Sequence, residues 1–99
     1  MIKELSKYQM KNDQLYLIDM YASWCGPCKT QSHILDKLLV EEKRAIILKI
    51  DVETDMPLTR ELNIMGVPSL VFVRNKKVLW EKPGVLEKEE LKNVIDEIY

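Results

Sequence analysis

The chain has two cysteines, three glycines, one phenylalanine and one histidine among its 99 residues, and no long apolar run. Two thiols are too few for a dense disulfide framework, a four-thiolate zinc site or a four-thiolate iron–sulfur site within one chain. The low glycine and proline content excludes fibrous and low-complexity classes. Even Ala45-Ile46-Ile47-Leu48 is closed by Lys49, far short of the roughly 20 apolar residues that a membrane helix needs. Charge of one sign is lacking too. Fifteen Lys plus Arg face sixteen Asp plus Glu, for a net charge of −1, so no overall field recruits phosphate backbones or anionic lipid. Nucleic acid and membrane are therefore not expected partners.

What is present is a chain 46% hydrophobic and 31% charged, the balance of a folded domain with one core spanning residues 1–99. The opening Met1-Ile2-Lys3-Glu4-Leu5-Ser6-Lys7 has no apolar stretch followed by a small-residue cleavage site, which makes a reducing cytoplasm the expected compartment. Hydrophobic periodicity predicts a helix over 3–11, a buried strand over 15–21 interrupted by Asp19, and a helix over 25–42 with Ile34, Leu35, Leu38 and Leu39 as its apolar face. A second strand over 45–52, apolar on both faces, reads as a central strand of a covered sheet. Asp55 is placed to cap a short helix with Pro57 in its first turn, ended by Asn63. Strands over 69–73 and 78–81 form a hairpin about the polar turn at 74–77, and Leu91, Val94, Ile95 and Ile98 mark a last helix over 87–99. The succession predicts an α/β fold, a four-stranded mixed sheet with helices on both faces.

Trp24-Cys25-Gly26-Pro27-Cys28-Lys29 falls where the first strand gives way to a helix. Thiols there meet unpaired N–H groups and the positive end of the helix dipole, which stabilise a thiolate. A two-residue spacing lets the Cys25 and Cys28 sulfurs close and open a disulfide, the chemistry of thiol–disulfide exchange. The same spacing is also half of a zinc site, but two further ligands are needed and His33 is the one histidine.

At these residues the chain resembles the thioredoxin family. Ile18 to Lys29 looks like its active-site strand and turn, Gly66-Val67-Pro68-Ser69 like the loop carrying its cis-proline, and Lys49, Gly84 and the terminal helix fall at family-like spacings. The resemblance implies the thioredoxin fold, with five strands as the alternative to four, and reduction of protein disulfides by a monomer that binds no cofactor. NADPH and FAD would serve only the thioredoxin reductase that recycles it. Carried over, Cys25 is the exposed nucleophile, Cys28 the more buried resolving thiol, and Asp19 the buried carboxylate managing the Cys28 proton, with Lys49 as its charge partner. Pro68, if cis, opposes the cysteines and frees the Val67 backbone for an extended substrate, while Trp24, Gly26, Pro27, Gly66 and Gly84 shape the rim.

The chain also departs from the family pattern. His33 stands where a helix-kinking proline is usual, Met20 where an aromatic residue is usual, Tyr21 where a tryptophan is frequent and Glu87 where a better helix cap is usual, and Arg74-Asn75-Lys76-Lys77 lacks the usual turn glycine, so Asn75 or Lys76 must accept an awkward backbone. Other readings stand beside these: Asp19 as a strand-edge residue paired with a surface lysine, Lys49 as an ordinary exposed lysine, and Pro68 as a loop end. The chain as a whole could be an oxidant or isomerase of the same fold, or a redox-inert binding subunit.

Overall fold

In the computed structural model, which describes Met1–Tyr99, strands β1 (Leu15–Tyr21), β2 (Ala45–Asp51), β3 (Ser69–Arg74) and β4 (Lys77–Pro83) make one sheet in the order β2-β1-β3-β4. β1 runs parallel to β2 and antiparallel to β3, and β3 pairs antiparallel with β4. The helices are α1 (Gly26–Glu41), α2 (Met56–Glu61) and α3 (Lys88–Ile98). The sheet has four strands, not five.

The pleat of β1 separates two cores. Leu15 and Leu17 face α1 and α3 and pack with Leu35, Leu38, Phe72, Leu91 and Ile95, whereas Tyr16, Ile18 and Met20 face the other way with Leu5, Leu58, Leu62 and Val71. Alternation along the strand then turns Asp19 to the α1 side, the third member of the row begun by Leu15 and Leu17. Ala45 and Ile47 of β2 join the same core, so Lys49 shares that face, directly across the ladder from Asp19.

Three expectations are corrected. The first helix is only a 3-10 turn at Lys3–Lys7, because Leu5 alone is buried and Tyr8 returns to extended backbone. So short a segment cannot repay helix nucleation by itself. Its free Lys3 and Glu4 N–H groups donate instead to the Glu61 carboxylate, each at 2.8 Å. β2 is an edge strand rather than a central one: Ala45 and Ile50 are buried and Ile47 and Leu48 partly so, yet one flank has no neighbour and Ile46 is exposed. Leu39 also lies on the solvent side of α1, whose buried stripe is Cys28, Gln31, Leu35 and Leu38. The last helix lies where expected, with Glu87 as its N-cap and Tyr99 as its C-cap, and the Glu87 side chain makes no cap bond.

Elsewhere local chemistry fixes the boundaries as expected. The Asp55 carboxylate caps α2 by accepting the Leu58 N–H at 3.2 Å and also accepts from Lys7 and Tyr8. Asn63 stops the segment in the left-handed region at φ 57°. In the hairpin both Asn75 and Lys76 take positive φ, 53° and 62°, the pair of values that a type I′ turn demands and that glycine best supplies at its second position. Asn75 is steadied by Asp13, to whose carboxylate its side-chain amide donates at 3.0 Å. Lys76→Gly should accordingly raise stability by about 1 kcal/mol, visible as a melting temperature several degrees higher; an unchanged or lower value would mean that Lys76 is not strained.

Candidate functional site: a cysteine pair at a helix N-terminus

Cys25 is the N-cap of α1, with extended backbone at φ −95° and ψ 112°, and Pro27 occupies the first turn, where a missing N–H leaves nothing unpaired. Cys25 and Cys28 are joined in a disulfide with their Cα atoms 5.3 Å apart. The Cys28 N–H donates to the Cys25 Sγ at 3.1 Å. A sulfur thus holds the cap position usually filled by a side-chain oxygen, and no acidic residue in the first turn offsets the helix dipole there.

The expected contrast in exposure between the two thiols is absent: in the disulfide form Cys25 is 5% exposed and Cys28 4%. Bridging draws both sulfurs into one small apolar cluster with Ala22, against which Tyr21, Val52 and Val67 pack. What distinguishes them is their surroundings. Cys25 has the helix N-terminus, while Cys28 lines a cavity of about 240 Å³ together with Asp19, Ser32 and Lys49.

Asp19 is 1% exposed, and its Oδ1 has no hydrogen-bond partner. Burial pushes its carboxyl up to about 6, against a smaller downward pull from Lys49. An orphaned, desolvated carboxyl that titrates near neutrality and opens on the same cavity as a thiol is suited to accept and return a proton. Lys49 is the charge that acts on Asp19, but through space and without a hydrogen bond. The ammonium donates to the Ser32 Oγ at 2.7 Å and pairs with the exposed Asp36 at 3.5 Å, both on α1, where a partly exposed cation keeps its hydration.

The Val67–Pro68 peptide is cis and Pro68 is buried. Val67 packs on the cysteine cluster, and neither its N–H nor its C=O bonds within the chain. The loop is closed by Ser69, whose hydroxyl donates to the Gly66 C=O at 2.7 Å. Gly84 donates its N–H to the Pro68 C=O at 2.9 Å and needs to be glycine, because its φ is +90°. Gly26 and Gly66 border open space. Trp24, 70% exposed, lines a groove of about 210 Å³ together with Val52, Met65 and Val67.

Two residues at this site were not anticipated. Met65, 89% exposed, extends the groove's apolar rim, and an exposed Met flanking Gly66-Val67-Pro68 was a visible signal. Gln31 is fully buried within the α1 stripe, and its place three residues after Cys28 on a face of leucines was the clue to it. The zinc alternative finds no support in the donor arrangement: no cluster of three or more His, Cys, Asp or Glu side chains converges anywhere, and His33 is exposed.

The model of the thioredoxin family matches residues 3–97. The chain belongs to the thioredoxin family. It is 30% identical over 91 residues to a thioredoxin of Buchnera aphidicola, an alignment covering 91% of this chain and 84% of that one. To Thioredoxin-T of Drosophila melanogaster it is 39% identical over 71 residues, 71% of this chain, although the match spans only 45% of that longer relative. Among solved structures, a single-site mutant of a thioredoxin from Halobacterium salinarum superposes with a TM-score of 0.82 at 33% identity, covering 95% of this chain and 81% of that one. With the disulfide at the family's active-site position, this member of the family is a thiol–disulfide oxidoreductase. Thioredoxin chemistry runs on the cysteine sulfurs themselves, without a bound cofactor. No helix is long and apolar enough to cross a membrane.

Proposed function

We propose that the chain works as a single-domain, monomeric reductant of protein disulfides in a reducing cytoplasm, recycled by a flavin-containing, NADPH-dependent thioredoxin reductase. The observation that carries this reading is the Cys28 N–H aimed at the Cys25 Sγ on the N-terminus of a 16-residue helix. In the reduced protein that arrangement favours a Cys25 thiolate, the attacking species. The thiolate bonds to one sulfur of a substrate disulfide and expels the other as a thiolate, giving a mixed disulfide. Cys28, losing its proton to Asp19, then attacks Cys25 and releases the second substrate thiolate. The substrate gains two electrons and the protein returns to its disulfide, which the reductase reopens with electrons from NADPH.

Docking follows from the rim. The unpaired main chain of Val67 suits one strand-like contact with an extended substrate segment. Trp24 and Met65 supply apolar area, Gly26 and Gly66 keep the approach low, Pro27 stiffens the turn and Pro68 backs the docking loop. Lys49 acts on Asp19 through space, easing its ionisation. With no strong net charge, selection falls to this local surface.

The test couples oxidation of NADPH to reduction of an insulin-type disulfide through a bacterial-type thioredoxin reductase. Sustained turnover that needs both proteins is expected. Absence of turnover with several reductases, while dithiothreitol-reduced protein also fails to cleave the substrate, would remove the general-reductant reading.

A further inference from the structure

Gln31 is a polar residue on a helix stripe that otherwise carries Cys28, Leu35 and Leu38, and it is completely buried. A buried amide is tolerated where its donor and acceptor are both met. Here one residue meets both: Nε2 donates to the Leu86 C=O at 3.0 Å and Oε1 accepts the Leu86 N–H at 2.7 Å. The side chain thus gives the loop between β4 and α3 the paired bonds that a neighbouring strand would give. At the other end of the same loop, Gly84 donates to the Pro68 C=O. Residues 84–86 are therefore tied on one side to the loop that packs on the disulfide and on the other to the helix that carries it. Val85, 40% exposed, is held between the two ties.

We propose that Gln31 is a positioning residue for protein substrates, clamping Leu86 so that the rim of residues 84–86 and the Val67–Pro68 loop are held together before a partner docks. The proposal rests on the reading of the chain as a reductant of protein disulfides. An extended substrate must meet the Val67 main chain and the apolar rim at once, so a rim left loose would have to be ordered at the moment of binding. A small disulfide asks only for the sulfur and is indifferent to the clamp.

The experiment compares wild type, Gln31→Leu and Val94→Ala, the last a core truncation away from the cysteines that serves as a stability control. Each is assayed with insulin and with a small aromatic disulfide. For Gln31→Leu the KM for insulin should rise about fivefold, with kcat and the small-disulfide rate constant within about twofold of wild type. Val94→Ala should leave all three in place. In the wild type, amide hydrogen exchange at Leu86 should be slow, a readout independent of whether Gln31→Leu folds. An unchanged KM, an equal KM rise in Val94→Ala, a parallel fall in the small-disulfide rate, or fast exchange at the wild-type Leu86 amide would each overturn the proposal. Wild type that cleaves the small disulfide but not insulin would overturn the protein-reductant reading and the clamp with it.

Discussion

Cys28→Ser is expected to reduce turnover of a protein disulfide by at least about a thousandfold while leaving the first attack intact, so that substrate accumulates covalently on Cys25. The reason lies in which group stabilises which sulfur. The hydrogen bond to the Cys25 Sγ comes from the Cys28 main-chain N–H, which serine retains, and the dipole of α1 is unchanged. Thiolate formation at Cys25 and its attack therefore persist. Release needs a second thiol beside the mixed disulfide, and a serine hydroxyl, weakly acidic and weakly nucleophilic, cannot provide it. Cys25→Ser should by contrast give neither turnover nor adduct. Because the two cysteines are almost equally buried in the disulfide, exposure does not distinguish attacker from resolver, and this pair of variants tests the helix terminus as the deciding factor. Peptide mass spectrometry of the trapped species locates the bond. An adduct on Cys28 in the Cys25→Ser protein, or turnover by Cys28→Ser within tenfold of wild type, would reverse or remove the assignment.

The parts of this site that could be read from sequence are those governed by local rules. β1 occupies 15–21 because the apolar run and the turn residues after it bound it on both sides, and α1 begins at Gly26 because Cys25 can cap and Pro27 can sit in a first turn. The placement of Asp19 opposite Lys49 likewise follows from strand register. What was misread depends on neighbours that periodicity does not encode. The apolar residues of β2 report that both its faces pack at least in part, and say nothing about whether a strand lies at its flank. Lys49 does act on Asp19 through space, but its bonded partners were not read, because a long flexible cation finds the acceptors nearest to solvent, here Ser32 and Asp36. Gln31 was passed over because its worth is set by Leu86, 55 residues further along the chain.

Asp19→Asn should make the protein more stable and slower at the same time, and the pH at which each effect appears is fixed by one carboxyl. In the unfolded chain Asp19 ionises at its ordinary value near 3.8, whereas burial holds it protonated in the native state up to about 6. Below the lower value both states are neutral and the buried group costs nothing as a charge. As pH rises between the two values the unfolded state releases its proton and the native state does not, so wild-type stability falls. Above about 6 the native protein carries an unpaired buried charge at full cost, on the order of 3 kcal/mol from a difference of roughly two units at 1.36 kcal/mol each. Asparagine cannot ionise and escapes that cost. The variant's stability advantage, measured by urea unfolding, should therefore grow from pH 4 to pH 7 and level off above it. Over the same neutral range resolution of the mixed disulfide should slow by about a hundredfold, the scale of a lost general base. It should recover at alkaline pH, where the Cys28 thiol ionises directly to solvent. A stability difference that stays constant from pH 4 to pH 8 would show that Asp19 is not held neutral by burial. Unchanged resolution at pH 7 would show that the proton of Cys28 leaves by another route, and the two results can be obtained separately because one is an equilibrium and the other a rate.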